Sequence, residues 1–149
     1  MIIKDSILLV EDSPEDYEAA VRAFKKAGMT NRIFRCADGD EALDYLYRRR
    51  TYADPDQAPR PSLILLDLNL PGTDGREVLA TIKQDQSLKT IPVLVLTTSA
   101  DHRDIKTCYE AGVNCYMKKP VDLSGFMESI RRLSEFWYKA VILPQEVGL

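Results

Sequence analysis

Five polar side chains close apolar runs along the 149-residue chain. Glu11 and Asp12 follow Ser6-Ile7-Leu8-Leu9-Val10, and Asp67 follows Ser62-Leu63-Ile64-Leu65-Leu66. Thr97 follows Ile91-Pro92-Val93-Leu94-Val95-Leu96, and Lys119 follows the run from Val113 to Met117 by way of Lys118. If these ends converge, three carboxylates, a hydroxyl and an ammonium share a small space. Carboxylates a few ångströms apart repel more strongly as water is excluded. A Mg²⁺ ion held by two of them relieves that repulsion, because it prefers hard oxygen ligands and keeps several waters. The threonine and the lysine point beyond a bare metal site. A phosphoryl group in transfer has three equatorial oxygens that need cations or hydrogen-bond donors. The ion can hold one, Lys119 a second and the Thr97 hydroxyl the third, which leaves one carboxylate as in-line nucleophile. Asp67 closes the middle run and takes that role.

Convergence requires a fold in which all these ends lie on one edge. The chain alternates short β-rich apolar runs with longer helical periods. After the first strand, Ser13-Pro14-Glu15-Asp16 supplies a capping hydroxyl, a first-turn proline and acids at the positive end of a helix dipole. Tyr17, Val21 and Phe24 continue at helical spacing until Gly28. A strand over 31–36 comes next, then a helix opened by Asp38-Gly39-Asp40 with Leu43 and Leu46 turned inward. Pro55, Pro59 and Pro61 make residues 51–61 a long loop. The third strand is apolar at every position after Ser62, as expected of a parallel strand buried on both faces. A helix over 74–84 follows the Leu70-Pro71-Gly72 break, with Val78, Leu79 and Ile82 inward. The fourth strand spans 91–96, and a helix over 100–111 ends at Gly112. The fifth strand spans 113–117, and Lys118-Lys119-Pro120 leads to a helix from Asp122. Five βα units without internal repeat predict an α/β fold, a doubly wound parallel sheet with right-handed crossovers and helices on both faces. Ligands of such sheets sit beyond the carboxyl ends of the strands, where the strand order switches.

Bulk properties narrow the function classes. With 45% hydrophobic and 29% charged residues the composition is that of a globular domain. A net charge of −3 and a pI near 5.2 give no reason to expect nucleic-acid or anionic-membrane partners. The short run Arg48-Arg49-Arg50 reads as compensation of a helix C-terminus. Cys36, Cys108 and Cys115 lack CxxC spacing, and Cys36 and Cys115 read as small core residues in a reducing compartment. Charge at Lys4-Asp5 and the absence of any run near 20 apolar residues argue against a signal peptide or membrane span, so a cytoplasmic location is expected. His102, the sole histidine, lies away from the strand ends, so a phosphoryl donor must come from elsewhere.

The segments Leu8-Leu9-Val10-Glu11-Asp12-Ser13, Leu65 through Gly75, Ile91 through Thr97 and Tyr116-Met117-Lys118-Lys119-Pro120 together resemble the response-regulator receiver family, of the chemotaxis-regulator fold. The resemblance implies a flavodoxin-like five-stranded sheet in the order 2-1-3-4-5. It implies a receiver domain over 1–138 with a tail over 139–149. It makes Asp67 the phosphorylated residue, places Mg²⁺ on Asp12, Asp67 and the Asn69 carbonyl, and has Glu11 act through a metal-bound water. Thr97 and Lys119 would contact the phosphoryl oxygens, Lys119 rather than Lys118 because it directly precedes Pro120. Tyr116, three residues before that lysine, matches the family's aromatic rotamer switch coupled to the threonine. One departure is Thr98, where the family usually has a small residue such as alanine; its bulk would narrow access to the phosphoryl group.

The residues after the receiver are too few to form an output domain, so signalling without one is expected. Leu123, Phe126, Ile130, Leu133 and Trp137 form a core stripe, whereas Phe136 and Tyr138 fall off it and Val141-Ile142-Leu143 continues beyond. Surplus apolar surface of this kind marks interfaces, so a symmetric homodimer through Phe136, Tyr138, Val141, Ile142 and Leu143 is expected, with the tail folding back on its own domain as the alternative. The proline-rich loop, the run from Asp74 to Leu79, Val113-Asn114-Cys115-Tyr116 and the ending Phe136-Trp137…Leu143-Pro144 look like single-domain regulators paired with phytochrome-type histidine kinases, notably cyanobacterial ones. The expected activity is then limited to self-phosphorylation and slow self-dephosphorylation. A chemotaxis-type regulator binding a motor or other effector protein is the alternative of the same class. A dehalogenase-fold phosphotransfer enzyme needs an Asp where Asn69 stands, and a flavodoxin-like carrier needs a phosphate loop where Glu11-Asp12-Ser13-Pro14 would repel the ligand.

Overall fold

A computed structural model describes residues 6–148 of the chain, so the Lys4-Asp5 pair and the start of the expected domain lie outside the described residues. Strands β1 (Ile7–Val10), β2 (Ile33–Cys36), β3 (Leu63–Leu66), β4 (Val93–Thr97) and β5 (Cys115–Lys118) form one parallel sheet in the order β2-β1-β3-β4-β5. Helices α1 (Pro14–Lys26), α2 (Gly39–Tyr47), α3 (Gly75–Gln84), α4 (His102–Ala111) and α5 (Leu123–Ser134) connect and follow them. Both fold class and strand order agree with the expectation. β4 and β5 each begin two residues later than the apolar runs suggested, within the usual fraying of element ends.

Alternation along the strands sends successive side chains to opposite layers. Ile7, Leu9, Leu63, Leu65, Leu94 and Leu96 pack under α1 and α5, while Leu8, Val10, Ile64, Leu66, Val93 and Val95 pack under α2, α3 and α4. On the first layer, α1 buries Ala19, Ala20, Ala23 and Phe24, whereas Tyr17 and Val21 are only half covered. Small side chains allow that helix to approach α5. On the second layer, α2 buries Ala42 and Tyr45, and the expected Leu43 and Leu46 stand on its flanks. Tyr45 is the better wedge because its hydroxyl donates to the Pro59 carbonyl at 2.8 Å, so its polar end is satisfied while its ring is buried.

That bond helps to order the proline-containing segment. A 3₁₀ turn, Arg50–Tyr52, forms where only loop was expected, and the Tyr52 hydroxyl donates to Glu41 at 2.6 Å. Arg48 closes α2 in a left-handed conformation (φ 53°) with its Nε donating to the Ala58 carbonyl at 3.2 Å, so it ties helix end to loop. Cys36 and Cys108 are buried and Cys115 is half-buried.

Beyond α5 the helix widens into a π-helical turn, Glu135–Ala140, which crosses the expected boundary at 138. Here several interface expectations are corrected. Leu143 is 2% exposed, covered by its own chain, and Tyr138 shares a 2.9 Å hydrogen bond with the Ser62 hydroxyl at the foot of β3 while its ring packs on the α1–α5 layer. The tail therefore folds back in part. Phe136 and Ile142 stay outside, at 56% and 76% exposure, with Val141 half-buried between these two groups. Leu123 is 57% exposed: it is the first residue of α5, and a helical side chain covers the turn that precedes it, which here does not exist.

Candidate functional site

The register of the central strands sets the site. Val10 pairs with Leu66, and the Asp67 amide donates to the Val10 carbonyl at 3.0 Å, so Glu11 and Asp67 leave their strands side by side. Thr97 ends β4 and is fully buried, and the Lys119 amide donates to its carbonyl at 2.6 Å, which ties the lysine's backbone to that strand. Gly75 holds the far side of Asp67: a Cβ there would meet the Asp67 carbonyl oxygen at 2.3 Å and Leu68 Cα at 2.5 Å. Only glycine lets α3 start that close to the acceptor loop.

Of the sequence-predicted residues, Glu11, Asp12, Asp67, Asn69 and Lys119 come together. Glu11, Asp12 and Asp67 each offer a carboxylate oxygen within 4.8 Å of the others, with Glu11 and Asp67 buried and Asp12 exposed. The Asn69 amide lies 3.4 Å from Asp67 Oδ1, which sets Asn69 directly beside the carboxylate. Lys119 Nζ reaches Glu11 Oε1 at 2.5 Å and Asp67 Oδ2 at 3.2 Å. The remaining Glu11 oxygen accepts from the Ser13 amide at 3.2 Å, so both of its oxygens are engaged by protein donors.

Burial pushes the Glu11 carboxyl up to about 7, and the Asp67 charge adds to that, while Lys119 pulls the other way. For Lys119, burial opposes the charge, but bonds to Glu11 and Asp16 and the Asp67 charge more than offset it and raise the ammonium above its ordinary value. The pocket is thus crowded with negative charge around one cation. Its ligand set, the carboxylates of Glu11, Asp12 and Asp67, is all hard oxygen and fits a small divalent ion of the Mg²⁺ or Mn²⁺ kind.

Two residues of this site escaped the sequence reading. Asp16 Oδ2 accepts from Lys119 Nζ at 2.9 Å. An acid on the third position of a helix reads as a dipole partner, and nothing in its spacing distinguishes the two roles. Arg35 on β2 donates to the Glu11 carbonyl at 3.1 Å and the Asp12 carbonyl at 3.2 Å and stacks over Tyr17 at 5.0 Å, so it fixes the loop that carries both acids. A basic residue on an edge strand gives no such signal.

Tyr116, on β5, is half-buried, and its hydroxyl donates to the Ser99 carbonyl at 2.9 Å. Ser99 in turn donates to Asp104 at 2.6 Å, and Arg76 clamps Asp104 through two bonds of 2.6 and 2.8 Å. The loop after Thr97 is therefore held from β5, α4 and α3 at once. His102 is exposed at the first position of α4, apart from this set.

A doubly wound 2-1-3-4-5 sheet with these groups at its switch point defines a receiver-type signalling domain. The profile described as response regulator receiver domain matches residues 7–131, and the chain belongs to that family. It is 44% identical over 138 residues to response regulator Rcp1 of Synechocystis sp., covering 93% of this chain and 92% of that one. Among solved structures, the Mn²⁺-bound form of Rcp1 superposes with a TM-score of 0.88 at 43% identity, covering 94% of this chain and 99% of that one. The phosphorylated cyanobacterial phytochrome response regulator RcpA gives 0.89 at 44% identity, covering 94% and 98%. The chain is a response regulator of two-component signalling, homologous to phytochrome response regulators. No helix among the described residues is long and apolar enough to cross a membrane.

Proposed function

We propose that Asp67 accepts a phosphoryl group from the phosphohistidine of a phytochrome-type histidine kinase, in the cytoplasm. The observation that carries this reading is the position of Lys119 Nζ, 3.2 Å from Asp67 and 2.5 Å from Glu11, on a residue whose backbone amide bonds the carbonyl of the fully buried Thr97. An Asp67 oxygen forms the new P–O bond as the donor's P–N bond breaks. The electron pair stays on the imidazole, which takes a proton from solvent. Lys119 and the Thr97 hydroxyl hold phosphoryl oxygens that gain charge during transfer. Asp12, Asp67 and the Asn69 carbonyl would hold Mg²⁺, with Glu11 acting through a metal-bound water; the ion supplies charge neutralisation of the phosphoryl oxygens when bound. Outside that self-phosphorylation and a slow hydrolysis of the product, the domain catalyses nothing.

The signal leaves through Tyr116. Movement of Thr97 toward a phosphoryl group pulls on the loop that Tyr116 and Asp104 pin through Ser99. The consequence is a reshaped α4–β5–α5 face. We further propose a homodimer in which Phe136, Val141 and Ile142 meet a second copy, since the exposed pair remains as apolar surface after Tyr138 and Leu143 are used within the chain. The test is phosphotransfer from a panel of purified histidine kinases onto wild type and Asp67→Asn. Transfer to wild type with Mg²⁺, at least about 100-fold slower on Asp67→Asn, is the expected result. Equal labelling of both, or preference for a kinase without a phytochrome module, would overturn the acceptor or the partner respectively.

A further inference from the structure

Lys119 has a carboxylate partner that phosphoryl binding does not require. Its ammonium carries three N–H donors. All three are taken, by Glu11 at 2.5 Å, Asp16 at 2.9 Å and Asp67 at 3.2 Å. Asp16 stands outside the Glu11–Asp12–Asp67 group, on the first turn of α1. Its side chain is 40% exposed, where those of Glu11 and Asp67 are 5% and 9%. It also lines a surface cleft of about 410 Å³ with Thr98, Lys118, Pro120 and Leu123, so this carboxylate is far more open to bulk water than that of Glu11.

We propose that Asp16 is a positioning residue, a competing counter-ion that holds Lys119 and must loosen its grip before the ammonium can bind a phosphoryl oxygen on Asp67. The inference deepens the reading of Asp67 as phosphoacceptor and rests on it. In the transfer step Asp67 exchanges one carboxylate charge for a phosphoryl group of roughly two. The donor that Lys119 gave to Asp67 passes to a phosphoryl oxygen, and a charge-assisted bond of that kind closes to about 2.7–2.9 Å. An ammonium held at 2.9 Å by Asp16 shortens that distance only by giving up part of one of its other bonds. Glu11 does not yield, because a buried carboxylate left without its cation is far more costly than an exposed one returned to water. Asp16 yields. It thereby sets how readily the acceptor captures its group.

The test is a titration with beryllofluoride in the presence of Mg²⁺, followed by ¹⁹F resonance, together with the rate of phosphorylation by acetyl phosphate. Asp16→Asn is expected to tighten apparent beryllofluoride affinity and to speed phosphorylation by about five-fold. Asp16→Glu restores wild-type behaviour. Glu15→Gln removes the same charge one residue away, from a side chain not bonded to Lys119, and is expected to change either quantity less than about two-fold. Should asparagine disturb the helix turn, as unfolding midpoints will reveal, Asp16→Ala carries the same expectation. Equal gains from Glu15→Gln and Asp16→Asn would reduce the effect to a general field and overturn the proposal. Wild-type binding with an unchanged or weakened Asp16→Asn overturns it alone, whereas a wild type that binds no beryllofluoride overturns the acceptor reading and this inference with it.

Discussion

At the carboxyl end of the sheet, Lys119 is bonded to three carboxylates drawn from β1's end, α1 and β3's end. At the carboxyl end of α5 there is no such convergence, and adjacent apolar side chains part company: Leu143 is 2% exposed and Ile142 is 76% exposed. The first region is fixed by backbone register, since paired strands leave Glu11 and Asp67 no choice of neighbour. The second is fixed by the extended segment that follows the π-helical turn, Glu135–Ala140, where successive side chains point to opposite sides. A buried polar cluster must satisfy every member, because each unpaired group carries its full desolvation cost. An apolar segment can leave some of its members in water at little cost to the fold, and those members become available to a partner.

The largest expected effect separates the two halves of the tail. Leu143→Ala should lower unfolding free energy by about 2–4 kcal/mol, as for other large-to-small changes at buried sites. Ile142→Ser should change it by less than about 0.5 kcal/mol and should instead weaken self-association. Urea denaturation and sedimentation velocity on the same variants measure both. If Ile142→Ser destabilises as much as Leu143→Ala, the tail is one packed unit and the contrast with an exposed interface disappears.

Next in size is the charge balance of the strand-end site. The Glu11 carboxyl sits at about 7 in the folded protein against 4.5 when unfolded, raised first by burial. Between those values the folded state holds the extra proton, so this group's contribution to metal-free stability falls as pH rises through the window. Glu11→Gln removes the titration. The variant should gain on wild type by about 1–3 kcal/mol between pH 4.5 and 7.5 in the presence of chelator. A difference that stays constant across this range in denaturation experiments would mean that Lys119 neutralises Glu11 completely, and the site would then resemble an ordinary ion pair.

The contrast also explains what could be foreseen. Asp67 and Thr97 were legible because a strand buried on both faces is apolar throughout, so its first polar residue marks its end and hence the ligand edge. Lys119, in contrast, follows a half-buried edge strand and was singled out from Lys118 by its place before Pro120. Asp16 was not legible, because an acid near a helix start satisfies the dipole wherever its side chain points. Gly75 was read as part of a motif, yet its need arises from a backbone approach to Asp67 that no periodicity encodes. On α2, helical spacing alone could not choose Ala42 and Tyr45 over Leu43 and Leu46, since the choice depended on a Tyr45 bond to Pro59 across the loop. The tail divided for the same reason. Apolar character was evident in Tyr138 and Leu143, but the Ser62 hydroxyl that receives Tyr138 lies 76 residues away in the chain.

The smallest effect tests the rim between the buried cluster and solvent. Thr98 is exposed at the end of β4 and lines the same cleft as Asp16, Lys119 and Pro120. Its backbone neighbour Thr97 is fully buried, so under the proposed function the two threonines separate binding from access. A methyl and a hydroxyl at the cleft mouth leave less room for an attacking water than alanine would, without removing any group that holds the phosphoryl oxygens. Thr98→Ala should therefore shorten the lifetime of phosphorylated protein by about two- to five-fold, a barrier change below roughly 1 kcal/mol. Phosphorylation rates by a small donor should rise by a similar factor, because the same opening admits both. Loss of phosphoryl label over time, followed on wild type and variant with Mg²⁺ held constant, decides the matter. An unchanged lifetime would show that the Thr98 side chain is not what limits the approach of water.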